Sequence, residues 1–318
     1  MGEPPVKVLY VLGHARSGST ILGNLLGELE GAFHAGELRF LWSWGWQKGR
    51  LCGCGQPVPD CAFWNPVVTE ALDGRPPERV LGAIRRVARL RHLRRLLRPG
   101  AARAWSDLRE VGDTLGPLYR GIARTARSRL VIDSSKDPAY GAVVSTLPGI
   151  RPFYLHLVRD PRASAYSWQM PKPRSEGGDL MPRRTAMQGA RAWVLENAAA
   201  SLVAGGGRRA LRLRYEDFVA RPGAAVDRIL SFIQEPPASI PWTDDGGVVL
   251  GPNHTVSGNP VRFRTGSIEL TEDDRWRTGM RDGDRRAVTA VTLPLLLRYG
   301  YPLRPRAGGR VDLRPSRR

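Results

Sequence analysis

The stretch KVLYVLGHARSGSTILGNLL, residues 7–26, constrains the fold more than any other part of the chain. A short apolar strand, Lys7–Leu12, runs into Gly13-His14-Ala15-Arg16-Ser17-Gly18-Ser19-Thr20, and an apolar helical pattern from Thr20 to Leu29 follows at once. A strand, a glycine-bearing turn and a helix start make an anion cradle. Backbone N–H groups point into the turn, and the helix dipole places partial positive charge there. Gly13 and Gly18 fall on the glycines of the G-x-x-x-x-G-K-[ST] loop of nucleotide-binding proteins. Ser19, however, stands where that loop needs lysine, and Arg16 supplies a cation three positions earlier. The turn suits a phosphate-like anion, but not the triphosphate of an ordinary NTPase.

Two later strands end in similar polar clusters. Leu130–Asp133 leads into Ser134-Ser135-Lys136-Asp137-Pro138, and Pro152–Val158 into Arg159-Asp160-Pro161-Arg162. In parallel sheets the ligand crevice lies beyond the carboxyl ends of the strands, so these clusters and the first turn are expected to converge. Asp160-Pro161 is a helix start, with an acceptor at the cap and proline at the first helical position. Arg159 and Ser167, eight residues apart, can both reach one anion beside that helix. The alternative is that Arg159 pairs with Asp160 or another carboxylate and Ser167 is simply exposed.

The order of elements reads as an α/β domain over residues 1–302, with a mainly parallel sheet and a helical insertion at about 65–126. Residues 33–38 form a second strand or its end, and 42–64 are irregular. A helix at Ala190–Val203, a strand at Ala210–Tyr215, a turn opened by Glu216-Asp217-Phe218 and a helix at Pro222–Phe232 follow. Met170–Met187 (to about 190) reads as a mobile loop beside the site, 251–267 as a ligand-binding flap, and 303–318 as a basic, disordered tail. Ile84, Val87, Leu90, Leu93 and Leu97 make one apolar helical stripe, flanked by seven arginines between 85 and 98. Those arginines read as a solvated face, with peripheral contact to an acidic lipid or substrate as the alternative.

Net charge is +19, from 49 basic and 30 acidic residues, which suits an acidic partner, although high-GC coding also enriches arginine. No apolar run is long enough for a membrane helix and no signal sequence is evident, so a soluble cytoplasmic protein is expected. Cys52, Cys54 and Cys61 lack the pairing of a disulfide framework, and their spacing is a weak metal signal. They are read as structural, reduced or holding one disulfide, with no metal ligand assigned.

G-x-x-R-S-G-S-T after the first strand, with R-D-P-R-x-S-x-x-S after a later one, resembles the sulfotransferases that use 3′-phosphoadenosine 5′-phosphosulfate (PAPS). Leu-Cys-Gly-Cys-Gly with Cys61-Ala-Phe-Trp64, Asp133-Ser-Ser-Lys136, Arg214-Tyr-Glu-Asp217 and Gly258-Asn-Pro-x-Arg-Phe-Arg264 are similar to segments of the bacterial branch. The resemblance implies a P-loop-like three-layer sandwich and sulfuryl transfer to a hydroxyl, with an amine in second place, on a small molecule or lipid. It implies that Arg16, Ser17, Gly18, Ser19 and Thr20 hold the 5′-phosphosulfate and that Arg159 and Ser167 hold the 3′-phosphate. Arg262 and Arg264 would close over the nucleotide. Gly36-Glu37 and Lys136 match the base and a lysine near the transferring group in the tyrosylprotein branch, making Glu37, Lys136 and Arg16 the catalytic candidates. His34 and His156 are rival bases.

In-line transfer of a sulfuryl group has a loose transition state, so positioning and charge stabilisation dominate. The group carries less charge than a γ-phosphoryl, and no metal is expected to be required, with PAP left as product. A P-loop kinase would need a lysine at 19, and a basic RNA- or membrane-binding module would work through the arginine-rich helix alone. No nucleic-acid partner is expected, and the oligomeric state cannot be read from the residues.

Overall fold

A computed structural model of the chain describes residues 4–101, 104–172, 180–205, 208–243 and 247–303. Strand β1 (Val6–Gly13), helix α1 (Ser19–Gly27) and strand β2 (Ala32–Gly36) open the fold. Four helices follow: α2 (Trp64–Leu72), α3 (Pro77–Val87), α4 (Leu93–Leu96) and α5 (Ser106–Thr125). Then come β3 (Leu130–Lys136), α6 (Pro138–Val144), β4 (Ile150–Val158), α7 (Pro161–Gln169) and α8 (Ala186–Ala204). Strand β5 (Ala210–Arg214) leads into α9 (Tyr215–Ala220) and α10 (Pro222–Ile233). A small antiparallel pair, β6 (Val248–Leu250) and β7 (Gly266–Ile268), precedes α11 (Trp276–Gly279) and α12 (Asp282–Arg298).

The five main strands are all parallel and lie in the order β2-β3-β1-β4-β5. Strand β1 is central and shows why the sheet needs helices on both faces. Val8, Tyr10 and Leu12 pack into one core with α2, α3, α5 and α6, while Leu9 and Val11 pack into a second with α1 and α10. All five are fully buried, the continuous apolar reading of a strand covered on two sides. Between β3 and β4 the chain crosses over β1, and this reversal opens a crevice at the strand carboxyl ends.

Three expectations are corrected. The stripe from 84 to 97 is not one helix: Ala88 and Arg89 leave helical geometry (ψ 67° and 141°), so α3 and α4 are separate. Ile84, Val87 and Leu93 remain buried, but Leu90 turns outward at 37% exposure. Strand β3 runs on through Ser134, Ser135 and Lys136, because β1 still flanks it there, with Leu12 opposite Lys136. Tyr215 to Phe218 form the start of α9 rather than a strand end and a turn. Part of the 170–187 loop and nearly all of the tail beyond Pro302 fall outside the described residues. Among the described residues no helix is long and apolar enough to cross a membrane.

Candidate active site

Each of the five parallel strands delivers a polar or aromatic residue to one cleft of about 660 Å³. Glu37 follows β2 directly, Lys136 ends β3, the 14–20 turn follows β1, Arg159 follows β4 and Tyr215 follows β5. Arg16, Lys136 and Ser257 all line this cleft with positive φ (71°, 66° and 58°), a conformation that non-glycine residues adopt only when their surroundings impose it.

The first turn keeps its helix start open. Gly18, left-handed at φ 86°, caps α1 without a side-chain hydrogen bond, and the first turn of that helix carries no acidic residue. A Cβ on Gly18 would sit 2.3 Å from the Tyr215 ring, so the turn and the start of α9 can approach only through glycine. Arg159 lies on the other side of the turn. Its Nη1 donates to the Arg16 carbonyl at 3.0 Å, its Nη2 meets Asp273 Oδ2 at 3.2 Å, and its guanidinium stacks on Tyr215 at 4.7 Å. Burial works against the Asp273 carboxylate, but the Arg275 hydrogen bond and the Arg159 charge outweigh it and hold its pKa at about 2. Ser167 Oγ accepts from Lys172 Nζ at 3.3 Å. Burial, then the charges of Arg16, Arg159 and Arg275, pull the Lys172 pKa down to about 8 against the opposing pull of Asp273. A lysine this crowded by cations is a group that an anion would relieve.

At the β2 and β3 ends, Lys136 Nζ donates to Glu37 Oε1 at 2.8 Å and to the Ser134 carbonyl at 2.7 Å. The 251–264 flap is stitched alongside: Glu37 N donates to the Val256 carbonyl at 2.7 Å, and Val256 N to Ala35 at 2.9 Å. Gly36, at φ 83°, makes this possible, since a Cβ there would lie 2.4 Å from the Val256 carbonyl oxygen. Phe40 and Trp44, stacked with centroids 4.1 Å apart, form an aromatic wall of the same cleft.

A family model described as "Sulfotransferase family" matches residues 9–239. The chain belongs to the sulfotransferase family. Its fold is similar to that of a sulfotransferase domain from the curacin biosynthetic pathway (TM-score 0.53, 16% identity, 95% of this chain and 100% of that one). A sulfotransferase from Alicyclobacillus acidocaldarius aligns with TM-score 0.45 and 13% identity over 94% of this chain and 95% of its own. No curated protein matches.

Within this sulfotransferase, the residues singled out by motif divide. Arg16, Gly18, Ser19, Thr20, Glu37, Lys136, Arg159, Ser167 and Arg264 all border the cleft. Ser17 sits beneath the turn, its Oγ buried with no hydrogen-bond partner among the described residues. Arg262 does not reach the cleft: it is buried, donating to the carbonyls of Thr255 and Leu51 at 2.7 Å each, and so braces the flap. Neither rival histidine borders the cleft. His34 lies between Asn24 Oδ1 and Ser134 Oγ, both at 3.0 Å, and burial, with the Lys136 charge, pushes its pKa to about 3. His156 bonds Asn197 Oδ1 at 3.0 Å, and burial takes it to about 4. Asp160 pairs with Arg162 at 2.6 Å, not with Arg159, and caps α7.

Motif reading missed Lys172, Tyr215, Trp168 and Asp273. Trp168 lies between the guanidiniums of Arg16 (4.9 Å) and Arg184 (4.2 Å) and donates from Nε1 to His14 Nε2 at 3.0 Å, holding Arg16 in place. A tryptophan next to the serine at 167 was the one available signal. Glu216, inside the Arg-Tyr-Glu-Asp segment, accepts from Asp160 N at 2.9 Å and from Tyr301 Oη at 2.7 Å, so it braces the peptide that follows Arg159.

Proposed function

We propose that this sulfotransferase takes a sulfuryl group from PAPS and passes it in line to a hydroxyl of a small-molecule or lipid acceptor. One observation carries the reading: the 3.0 Å bond from Arg159 to the Arg16 carbonyl sets two anion-binding clusters on one cleft. Three features of the cleft fit a donor with phosphates at both ends. The α1 start lacks any side-chain cap, Ser17 Oγ and Arg159 Nε are buried without partners among the described residues, and Lys172 is crowded by three guanidiniums.

The donor supplies an activated sulfuryl group on a phosphate leaving group. The N–H groups of the 16–20 turn and the Arg16 guanidinium hold its sulfated end, and Arg159, Ser167 and Lys172 hold its 3′-phosphate. Arg264 borders the cleft from the flap and adds charge to its lid. Glu37 takes the proton of the acceptor hydroxyl. Lys136, bound to Glu37, lies where it can neutralise charge on the leaving oxygen. The Phe40–Trp44 wall and Val261 give the acceptor side an apolar lining, which suits a hydroxyl carried on a hydrophobic frame.

Titration of the protein with PAP by calorimetry, followed by turnover of labelled PAPS against a panel of hydroxylated acceptors, tests the reading. One-to-one binding that weakens by about tenfold or more in Arg16→Ala and in Arg159→Ala is expected. Unchanged PAP binding in both variants, or turnover of Mg-ATP in place of PAPS, overturns it.

A further inference from the structure

Behind the flap, four side chains from two distant parts of the chain turn their donor atoms toward one point. Cys54 Sγ and Cys61 Sγ are 3.6 Å apart, and His254 Nδ1 lies 3.6 Å from Cys52 Sγ and 3.4 Å from Cys61 Sγ. All four donor atoms fall within 4.8 Å of one another. Around a tetrahedral zinc ion, with Zn–S of about 2.3 Å and Zn–N of about 2.0 Å, neighbouring sulfurs stand about 3.8 Å apart and a sulfur and nitrogen about 3.5 Å. The separations of 3.4–3.6 Å suit such a shell, and every remaining pair lies within 4.8 Å. A disulfide needs sulfurs at about 2.0 Å, and the three cysteines are free.

We propose that Cys52, Cys54, Cys61 and His254 form a structural zinc site that rivets the flap to the 52–61 segment. The local fold is built to aim the donors. Cys52 N donates to the Gln56 carbonyl at 2.7 Å and Gly55 N returns to the Cys52 carbonyl at 2.9 Å, a tight knuckle that brings Cys54 back over Cys52. Gly53 lets this knuckle lie against the flap, since a Cβ there would stand 2.0 Å from Asn253 Oδ1. His254 is fixed by stacking on Phe63 (centroids 5.1 Å, planes 17°) and by its carbonyl accepting from Trp64 Nε1 at 2.6 Å. Binding Zn²⁺ displaces the three thiol protons and leaves a site of net charge −1. The buried Arg262 guanidinium bonds the carbonyls of Leu51 and Thr255, each one residue from a ligand, and brings compensating charge. The ion would cross-link residues 52–61 to a segment nearly two hundred positions later, immediately before the Val256–Arg264 stretch that borders the cleft. The thiol spacing alone gives a weak metal signal; the fourth ligand is what completes the shell.

The full chain, freed of any affinity tag and purified without chelators, tests this. Elemental analysis is expected to give about one zinc per chain, released when a mercurial blocks the thiols. Cobalt added to metal-free protein is expected to give thiolate-to-cobalt charge transfer and the intense d–d bands of a tetrahedral site. Cys61→Ser and His254→Ala should lower zinc content or shift those bands. Should a variant fail to fold, the wild-type stoichiometry and cobalt spectrum still decide. Metal-free protein that takes up cobalt without a thiolate band overturns the proposal. So does a native Cys54–Cys61 disulfide by mass spectrometry, or full zinc content and an unchanged cobalt spectrum in both variants.

Discussion

Lys136 Nζ stands 2.8 Å from Glu37 Oε1, bridging the ends of two neighbouring parallel strands. The same ammonium bonds the Ser134 carbonyl, so the lysine holds the carboxylate from one side and leaves Oε2 without a hydrogen-bond partner among the described residues. Positive φ at Lys136, 66°, is the backbone cost of that placement. Glu37→Gln keeps the shape and the hydrogen bond's acceptor but removes the base. We expect kcat to fall by roughly 10²–10⁴-fold while PAP affinity stays within about twofold. Steady-state kinetics beside calorimetry separates the two quantities, and a full-rate Gln variant rules out Glu37 as the base.

Arg159 should matter chiefly to the end of the donor that carries the 3′-phosphate, since Arg16 keeps its own contact with Trp168 when the Arg159 bond is lost. Removing a charged hydrogen-bonding partner costs about 1.5–3 kcal/mol, so Arg159→Ala is expected to weaken PAP binding by about 10–150-fold. Binding of adenosine 5′-phosphosulfate, which lacks that phosphate, should barely change. Asp273 keeps Arg275 as a partner at 2.7 Å, so the variant does not strand a carboxylate. Equal losses for both nucleotides would move Arg159 out of the 3′-phosphate role.

Lys172 gives the site a pH dependence of definite sign. With its pKa near 8, the ammonium is mostly charged at pH 7 and mostly neutral at pH 9. An anion binds the charged form better, so its affinity falls as pH rises through about 8. Lys172→Arg, which stays charged, is expected to bind PAP with a flat profile from pH 7 to 9.5. Lys172→Met should bind weakly and also flatly. Calorimetry at four or five pH values is enough, and a wild-type profile without a step near 8 excludes the lysine from the anion site.

How far the residues foretold this arrangement depended on how local each signal was. The β1-turn-α1 unit and the Asp160-Pro161 helix start are short-range patterns, and both formed where the pattern placed them. Arg262 and Arg264 differ by two positions and share one chemistry, yet a short 3₁₀ turn at Pro260–Phe263 sends the first inward to the carbonyls of Thr255 and Leu51 and leaves the second on the cleft. No spacing rule separates them, because the carbonyls that claim Arg262 belong to residues 51 and 255. Lys172 and Asp273 lie in unpatterned chain, and only the fold brings them beside Arg159. His254 is hidden for the same reason: its three thiol partners lie near the opposite end of the chain.

His34 and His156 carry a stability signature rather than a catalytic one. His34 and His156 have folded-state pKa values of about 3 and about 4, both below the usual 6.5, because burial disfavours the cation. The unfolded chain therefore binds more protons in this range, and stability rises with pH. Their contribution is complete above about 6.5 and is lost as pH falls toward 4 and then 3. Each histidine adds a slope of about 1.4 kcal/mol per pH unit inside its window. Denaturant midpoints measured from pH 7 to 4.5 should fall in the wild type, and less steeply in His34→Gln. The Gln variant is destabilised at neutral pH, because Gly23 and Gly27 are shaped around the imidazole, with a Cβ at Gly23 only 2.4 Å from Nε2. Its kcat should nevertheless follow the wild-type pH profile, since His34 does not border the cleft. A missing or displaced acidic limb in that profile would return His34 to consideration as the base and remove Glu37.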